Sequence, residues 1–122
     1  MATLMSSFLG LQAQFKVFHW QTRSYAKHNA YGGMYDAFNV ISDRFIEIYM
    51  GKYGRIALEG ASDAIQLSNI GEINMDEFLE TVTDFLLSLN NSLNSQRDSD
   101  LLNLRDELLS EVNKLKYLLT LK

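Results

Sequence analysis

Apolar residues recur every three or four positions along most of this 122-residue chain, and no proline interrupts them. Proline inside a helix removes a hydrogen bond and clashes with the preceding turn, so its absence leaves long helices unobstructed. The first apolar run has a 4-3-4-3 spacing, which predicts a helix over about residues 3–21. Its apolar positions are Leu4, Phe8, Leu11, Phe15 and Phe18.

Three further stretches keep the same helical period. The second helix is predicted over about residues 28–52 and the fourth over about residues 100–121. The third is predicted to begin after Asn74, an N-cap residue that is followed three positions later by Glu77, as in a capping box. The predicted core stripe of the second helix consists of Tyr31, Met34, Tyr35, Phe38, Ile41, Phe45, Ile48 and Tyr49.

The segments between these helices complete the predicted architecture. Residues 24–29 read as a short connection, whereas residues 54–74 are long enough for a crossover and are expected to hold a short helix around residues 61–67. No stretch has a convincing strand pattern. The sequence therefore predicts an all-α fold, with a single domain over residues 1–122 that forms a four-helix bundle. The long crossover is expected between helices two and three.

Charge and composition exclude several classes of protein. The formal charge is −4 and the eleven Lys and Arg residues are scattered, with no basic tail, so strong nucleic-acid binding is not expected. No run approaches the roughly 18 apolar residues of a membrane span, and the N-terminus lacks a basic region ahead of an apolar one. Cysteine is absent, which excludes disulfides and thiolate metal sites. We expect a cytoplasmic protein with no membrane partner.

Four residues carry the candidate chemistry. His19 and His28 are the two histidines of the chain, and Asp43 and Glu47 are spaced one helical turn apart on one helix face. Two imidazoles and two carboxylates suit Fe(II) or a similar divalent metal. Taken singly, each feature also has a structural interpretation. His19 fits a hydrogen-bonded boundary residue, His28 a surface or capping residue, and the acids a solvated face.

A helical wheel places the acids nearly opposite the core stripe of the second helix. That position excludes a di-iron site inside the bundle, where ligands project inward from Glu-x-x-His motifs. Here Lys16 and Tyr25 stand where such motifs need glutamate. Ile46 and Val40 flank the acids, and apolar residues beside charge favour a contact surface. A subunit interface over this face would bring a partner's histidines to Asp43 and Glu47.

The set resembles the Dps mini-ferritins, the DNA-protection-during-starvation family of ferritin-like proteins. Their pattern is His-Trp near the end of helix one, a second His opening helix two, and an Asp and a Glu one turn apart further along. Those roles are filled here by His19-Trp20, His28, Asp43 and Glu47. The resemblance continues through residues 55–58 and 114–119. It implies a ferritin-like four-helix bundle.

The resemblance also implies a function and a partner. Dps proteins are hollow dodecamers whose ferroxidase sites lie at two-fold dimer interfaces, with the histidines from one subunit and the Asp and Glu from its partner. They oxidise Fe(II), preferably with hydrogen peroxide, and store the ferric product. His19, His28, Asp43 and Glu47 would then be both the metal ligands and the catalytic residues, in a homo-oligomer whose minimal unit is a dimer. Trp20 is expected mainly to support packing.

The chain departs from the Dps pattern at three places. The interval from His19 to His28 is shorter by about one helical turn. Gly32 stands where many members carry another acid, so a weaker second metal position is expected. We also expect no N-terminal extension of the kind that often carries DNA-binding lysines. The alternative function is therefore a non-catalytic helical scaffold that kept the fold and lost tight metal binding.

Overall fold

The computed structural model describes residues 2–122, and four α-helices account for most of them. These are α1 (Leu4–Gln21), α2 (Tyr25–Tyr53), α3 (Met75–Ser88) and α4 (Ser99–Leu118). Single 3-10 turns occur at Gly60–Asp63, Ile70–Glu72 and Leu89–Asn91, and the described residues contain no strand. The predicted all-helical bundle is confirmed. No helix among these residues is long and apolar enough to cross a membrane.

Side-chain caps explain where three of the helices begin. Thr3, Ser24 and Asn74 each accept a hydrogen bond from the backbone N–H three residues further on. Such caps satisfy one of the donors that the first turn leaves free. The predicted N-cap at Asn74 is confirmed. At the other end of α2, Gly54 adopts a φ of 91°, a left-handed conformation that favours glycine and stops the helix.

Three predicted boundaries are wrong. The connection predicted over residues 24–29 consists only of residues 22–24, because Ser24 caps the first turn of α2 and the helix continues through Gly32 and Gly33. The short helix expected around residues 61–67 is a single 3-10 turn at Gly60–Asp63. The last helix ends at Leu118 rather than near residue 121.

A column of phenylalanines joins the helices. Phe8 packs edge-on against Phe38 and Phe45 of α2, with ring centroids 5.9 and 5.2 Å away. Phe18 packs edge-on against Phe78 of α3 at 5.2 Å. Full burial of such a side chain contributes about 1.5–3 kcal/mol. The fourth helix closes the core with its own buried stripe of Leu101, Leu104, Leu108, Val112 and Leu115.

The crossover between α2 and α3 runs beside α1 in the same direction as that helix. Near the start of α1, the Asp63 carboxylate accepts hydrogen bonds from the Thr3 N–H and the Ser6 hydroxyl. Halfway along, the buried Gln14 amide exchanges two hydrogen bonds of 2.9 Å with the backbone of Ser68. At the end of α1, Gln21 accepts from the Ile70 N–H. The crossover therefore ends beside the C-terminal end of α1, and α3 begins there. As a result α2 and α3 run in the same direction.

Candidate metal centre

The two histidines lie against each other where α1 ends and α2 begins. Their rings are nearly parallel, with centroids 3.8 Å apart. Nδ1 of His19 lies 2.7 Å from the backbone oxygen of His28, and Nδ1 of His28 lies 2.7 Å from the backbone oxygen of His19. The predicted pair is therefore one unit, which we call the histidine clasp. Both side chains are half-buried.

The reciprocal bonds decide which nitrogen of each ring carries a proton. A carbonyl oxygen can only accept, so each Nδ1 must be protonated and donate. In the neutral imidazole this leaves the lone pair on Nε2, the nitrogen on the far side of the ring. Metal-binding histidines almost always donate their other N–H to a carbonyl or carboxylate in this way. The clasp therefore offers two Nε2 ligands with the tautomer that coordination needs.

The absence of a side chain at Gly32 leaves space for the His19 ring of the clasp. A Cβ built on Gly32 would lie 2.8 Å from Nδ1 of His19 and 2.9 Å from its Cε1, distances that real Cβ contacts essentially never show. The neighbouring Gly33 has nothing within 4 Å of the same position. The His19 ring thus occupies the space in which an acidic side chain would begin. The glycine at position 32 and the short connection between the histidines are two aspects of one arrangement.

Asp43 and Glu47 form a second pair on the exposed face of α2. Both residues are exposed, and the side chain of Asp43 raises the pKa of Glu47 through close contact of the two carboxyl groups and through its negative charge. The prediction that the acids lie away from the core is confirmed.

One chain does not bring the two pairs together. His28 and Asp43 are fifteen positions apart on the same helix, which is about 22 Å at 1.5 Å per residue. Within residues 2–122 of a single chain, no three His, Asp or Glu side chains lie close enough to hold one metal ion. Each pair on its own supplies two ligands. A complete site with all four residues would need a second copy.

A band of aromatic and basic side chains surrounds the clasp. The Lys16 ammonium lies 4.6 Å from the ring centroid of Tyr35 and 5.4 Å from that of Trp20. The expectation that Trp20 supports packing is wrong within one chain, because 69% of its surface is exposed. Tyr25 stacks on His28 at 6.4 Å and is 79% exposed. Sequence periodicity missed this band, although the i,i+4 spacing of Lys16 and Trp20 could have indicated it.

The exposed face of α1 and α2 also contains a pocket. It lies between the two helices beside Asp43, has a volume of about 230 Å³, and is lined by apolar residues such as Leu9 and Ile46. At its rim the Gln12 amide donates a 2.9 Å hydrogen bond to the Asn39 side chain. Of the two residues predicted to flank the acids on the exposed face, Val40 is 60% exposed, as predicted. Ile46 is less exposed, because it is half-buried against the core.

The chain belongs to the DUF5856 family, described as a family of unknown function, which matches residues 19–119. It is also similar to the protein of Enterobacteria phage T4 described as an uncharacterized 14.6 kDa protein in the mobD-ri intergenic region. The two are 30% identical over 119 residues, a stretch that covers 94% of this chain and 87% of the phage protein. No solved structure matches the chain.

Proposed function

We propose that this DUF5856 protein is a Dps-like ferroxidase and iron store that oxidises Fe(II) at sites shared between two copies of the chain. The histidine clasp carries this proposal. Two imidazoles that donate Nδ1–H to carbonyl oxygens and leave Nε2 free have the arrangement that is typical of metal-binding histidines. The course of the chain also supports it, because four helices with one long crossover is the topology of ferritin-like folds.

The four side chains suit Fe(II) as a substrate. Imidazole nitrogens and carboxylate oxygens bind Fe(II) and leave coordination positions for an oxidant. The carboxylates add negative charge, which stabilises the ferric product more than the ferrous substrate. One hydrogen peroxide molecule takes one electron from each of two Fe(II) ions and two protons from the surroundings, and leaves as two water molecules.

The charge distribution supports a two-fold arrangement of two copies. No Asp or Glu precedes Asp36, so the half of the hairpin near the clasp carries only the cations Lys16, Arg23 and Lys27. The other half of α2 carries Asp43 and Glu47 on its exposed side, with Arg44 beside them. When two copies pack antiparallel through this face, the cations near each clasp lie opposite Asp43 and Glu47 of the partner, which favours that orientation over the parallel one.

The test is complementation between two inactive variants. His28→Ala removes one imidazole and Asp43→Asn removes one carboxylate, and each variant alone is expected to lose rapid peroxide-driven Fe(II) oxidation. Mixed after unfolding and refolding together, the two chains form heterodimers in which one site receives intact histidines and intact acids. Random pairing then restores about a quarter of the wild-type rate.

Two results would count against the proposal. Normal oxidation by either variant alone removes that residue from the site. Failure of the mixture to regain activity, with both variants folded and able to form heterodimers, rules out a site shared between chains. Ferric absorbance after anaerobic Fe(II) loading and stoichiometric peroxide gives the rate. Asp84→Asn, an exposed carboxylate of α3, is the matched control and should oxidise Fe(II) as the wild type does.

One observation favours the alternative, a non-catalytic helical scaffold with a vestigial site. The clasp joins the end of α1 to the start of α2 by stacking and two hydrogen bonds, so it has a structural use without any metal. The two functions differ in their pH dependence. Neutral imidazole ligands lose a metal as they are protonated, so metal binding by a ferroxidase weakens as the pH is lowered. A scaffold shows no saturable Fe(II) binding at any pH.

A further inference from the structure

The seam between α1 and α2 has a regular register. Gln12 bonds to Asn39, Lys16 lies over Tyr35, and the His19 ring lies over Gly32. Moving forward along α1 by some number of residues therefore corresponds to moving backward along α2 by the same number. On this register Trp20 lies at the level of Tyr31. At the other end of the seam Leu9 lies at the level of Ser42, in the middle of the pocket.

We propose that Trp20 of each copy docks into the pocket between α1 and α2 of a second copy. The inference rests on the antiparallel two-fold packing of the proposed function. In that packing a two-fold axis places His28 of one copy opposite the helical turn between Asp43 and Glu47 of the other copy. The same axis places the level of Tyr31 in one copy opposite the level of Ser42 in the other. The partner's Trp20 therefore arrives at the level of Leu9 and Ser42, where the pocket lies.

The pocket and the indole have complementary chemistry. Leu9, Met5 and Ile46 give the pocket apolar walls, and Leu9 is 48% exposed in the single chain. An indole is mostly apolar but has one N–H that needs an acceptor when it is buried. The carboxylate of Asp43 and the hydroxyl of Ser42 both line the pocket and can accept that bond.

Exposure and charge also favour this occupant. Trp20 is exposed on the same stripe of α1 as Leu9 and Gln12, so it faces outward from the surface that contains the pocket. Large exposed aromatic side chains are typical anchors of protein interfaces. Lys16 lies beside Trp20, so docking of Trp20 also brings the Lys16 ammonium towards the acidic residues of the partner. Docking would thus bury Trp20 and Leu9, two of the exposed apolar side chains of this face.

Trp20 is the single tryptophan of the chain, so its fluorescence reports its surroundings directly. We expect emission at shorter wavelength, and protection from acrylamide, at protein concentrations where sedimentation shows a dimer. Dilution to monomer should shift the emission to longer wavelength. Leu9→Glu puts a charge in the pocket and is expected to weaken dimerisation at least about tenfold, with loss of the protection. Leu87→Glu, at a site 45% exposed on α3, is the matched control and should change neither.

The outcomes separate this inference from the proposed function. A dimer that oxidises Fe(II) while Trp20 remains fully open to acrylamide overturns the docking and leaves the shared site standing. A dimer that protects Trp20, loses the protection in Leu9→Glu, and oxidises no Fe(II) supports the docking and overturns the ferroxidase. A chain that is monomeric at all concentrations overturns the docking, and complementation between the two inactive variants then fails as well.

Discussion

Gly32 lies directly against the imidazole of His19, so closely that a methyl group on Gly32 would stand 2.8 Å from Nδ1. The ring cannot simply move aside, because Nδ1 is bonded to the backbone oxygen of His28 and the ring stacks on that of His28. One glycine in the first half of α2 therefore permits the whole histidine clasp.

The pair Gly32 and Gly33 offers a matched test of this relationship. Gly33→Ala, with open space around its Cβ, should raise the free energy of unfolding by up to about 1 kcal/mol, since alanine is the better helix former. Gly32→Ala gains the same propensity but must displace His19, so it should be less stable than Gly33→Ala by about 1–3 kcal/mol. Urea denaturation measures both. Equal stabilities for the two variants would mean that the His19 ring moves freely.

Asp43→Asn should separate stability from iron chemistry. The pKa of Glu47 is raised, so the pair contributes stability that is fully present below the usual glutamate pKa of about 4.5 and is lost as the pH rises through the folded value. Above that range two carboxylates repel one another. Replacing Asp43 by asparagine removes the repulsion, so the variant should be more stable than the wild type at neutral pH while losing Fe(II) oxidation. NMR titration of Glu47 should show its pKa returning towards 4.5. An unchanged titration would mean that the two side chains do not interact.

Gln14 should hold the crossover in place. Its amide is buried and makes both hydrogen bonds to the backbone of Ser68, so Gln14→Ala leaves an N–H and a carbonyl of the crossover without these partners. We expect a loss of about 1–3 kcal/mol. Gln12→Ala, two positions away and bonded only to the exposed Asn39 side chain, should cost less than about 1 kcal/mol. Thermal unfolding of the two variants makes the comparison, and similar costs would show that the amide of Gln14 has no special role.

Asp98 should make the bundle sensitive to acid. This buried carboxylate accepts hydrogen bonds from the Tyr53 hydroxyl and the Asn94 N–H, with Lys52 3.3 Å away, and these contacts lower its pKa. A lowered pKa contributes stability that is present above the usual aspartate value of about 3.8 and is lost as the pH falls through the folded value. Asp98→Asn should therefore unfold at a lower temperature than the wild type at pH 7. The difference should close in acid, and a pH-independent difference would point to packing alone.

The residues of the candidate site were predictable from sequence, but their arrangement was not. The two histidines and the acid pair could be identified from residue type and spacing, and the position of the acids away from the core followed from the wheel. The start of α2 was predicted three residues too late, because residues 24–29 were interpreted as a connection. The structure shows that Ser24 caps the helix and that the helix continues past Gly32, where the His19 ring fills the space beside the glycine.

The sequence by itself determined the four helices and the faces that the first two bury, because the period of the apolar residues records which side of a helix meets the core. It also determined the N-cap at Asn74, since capping is a contact between residues three positions apart. Only the tertiary structure decided the histidine clasp, the bonds from Gln14 to the crossover and the exposure of Trp20. Each of these depends on how far one segment is displaced along another. A hydrophobic period is unchanged when a helix slides by a turn, whereas a hydrogen bond between segments is broken.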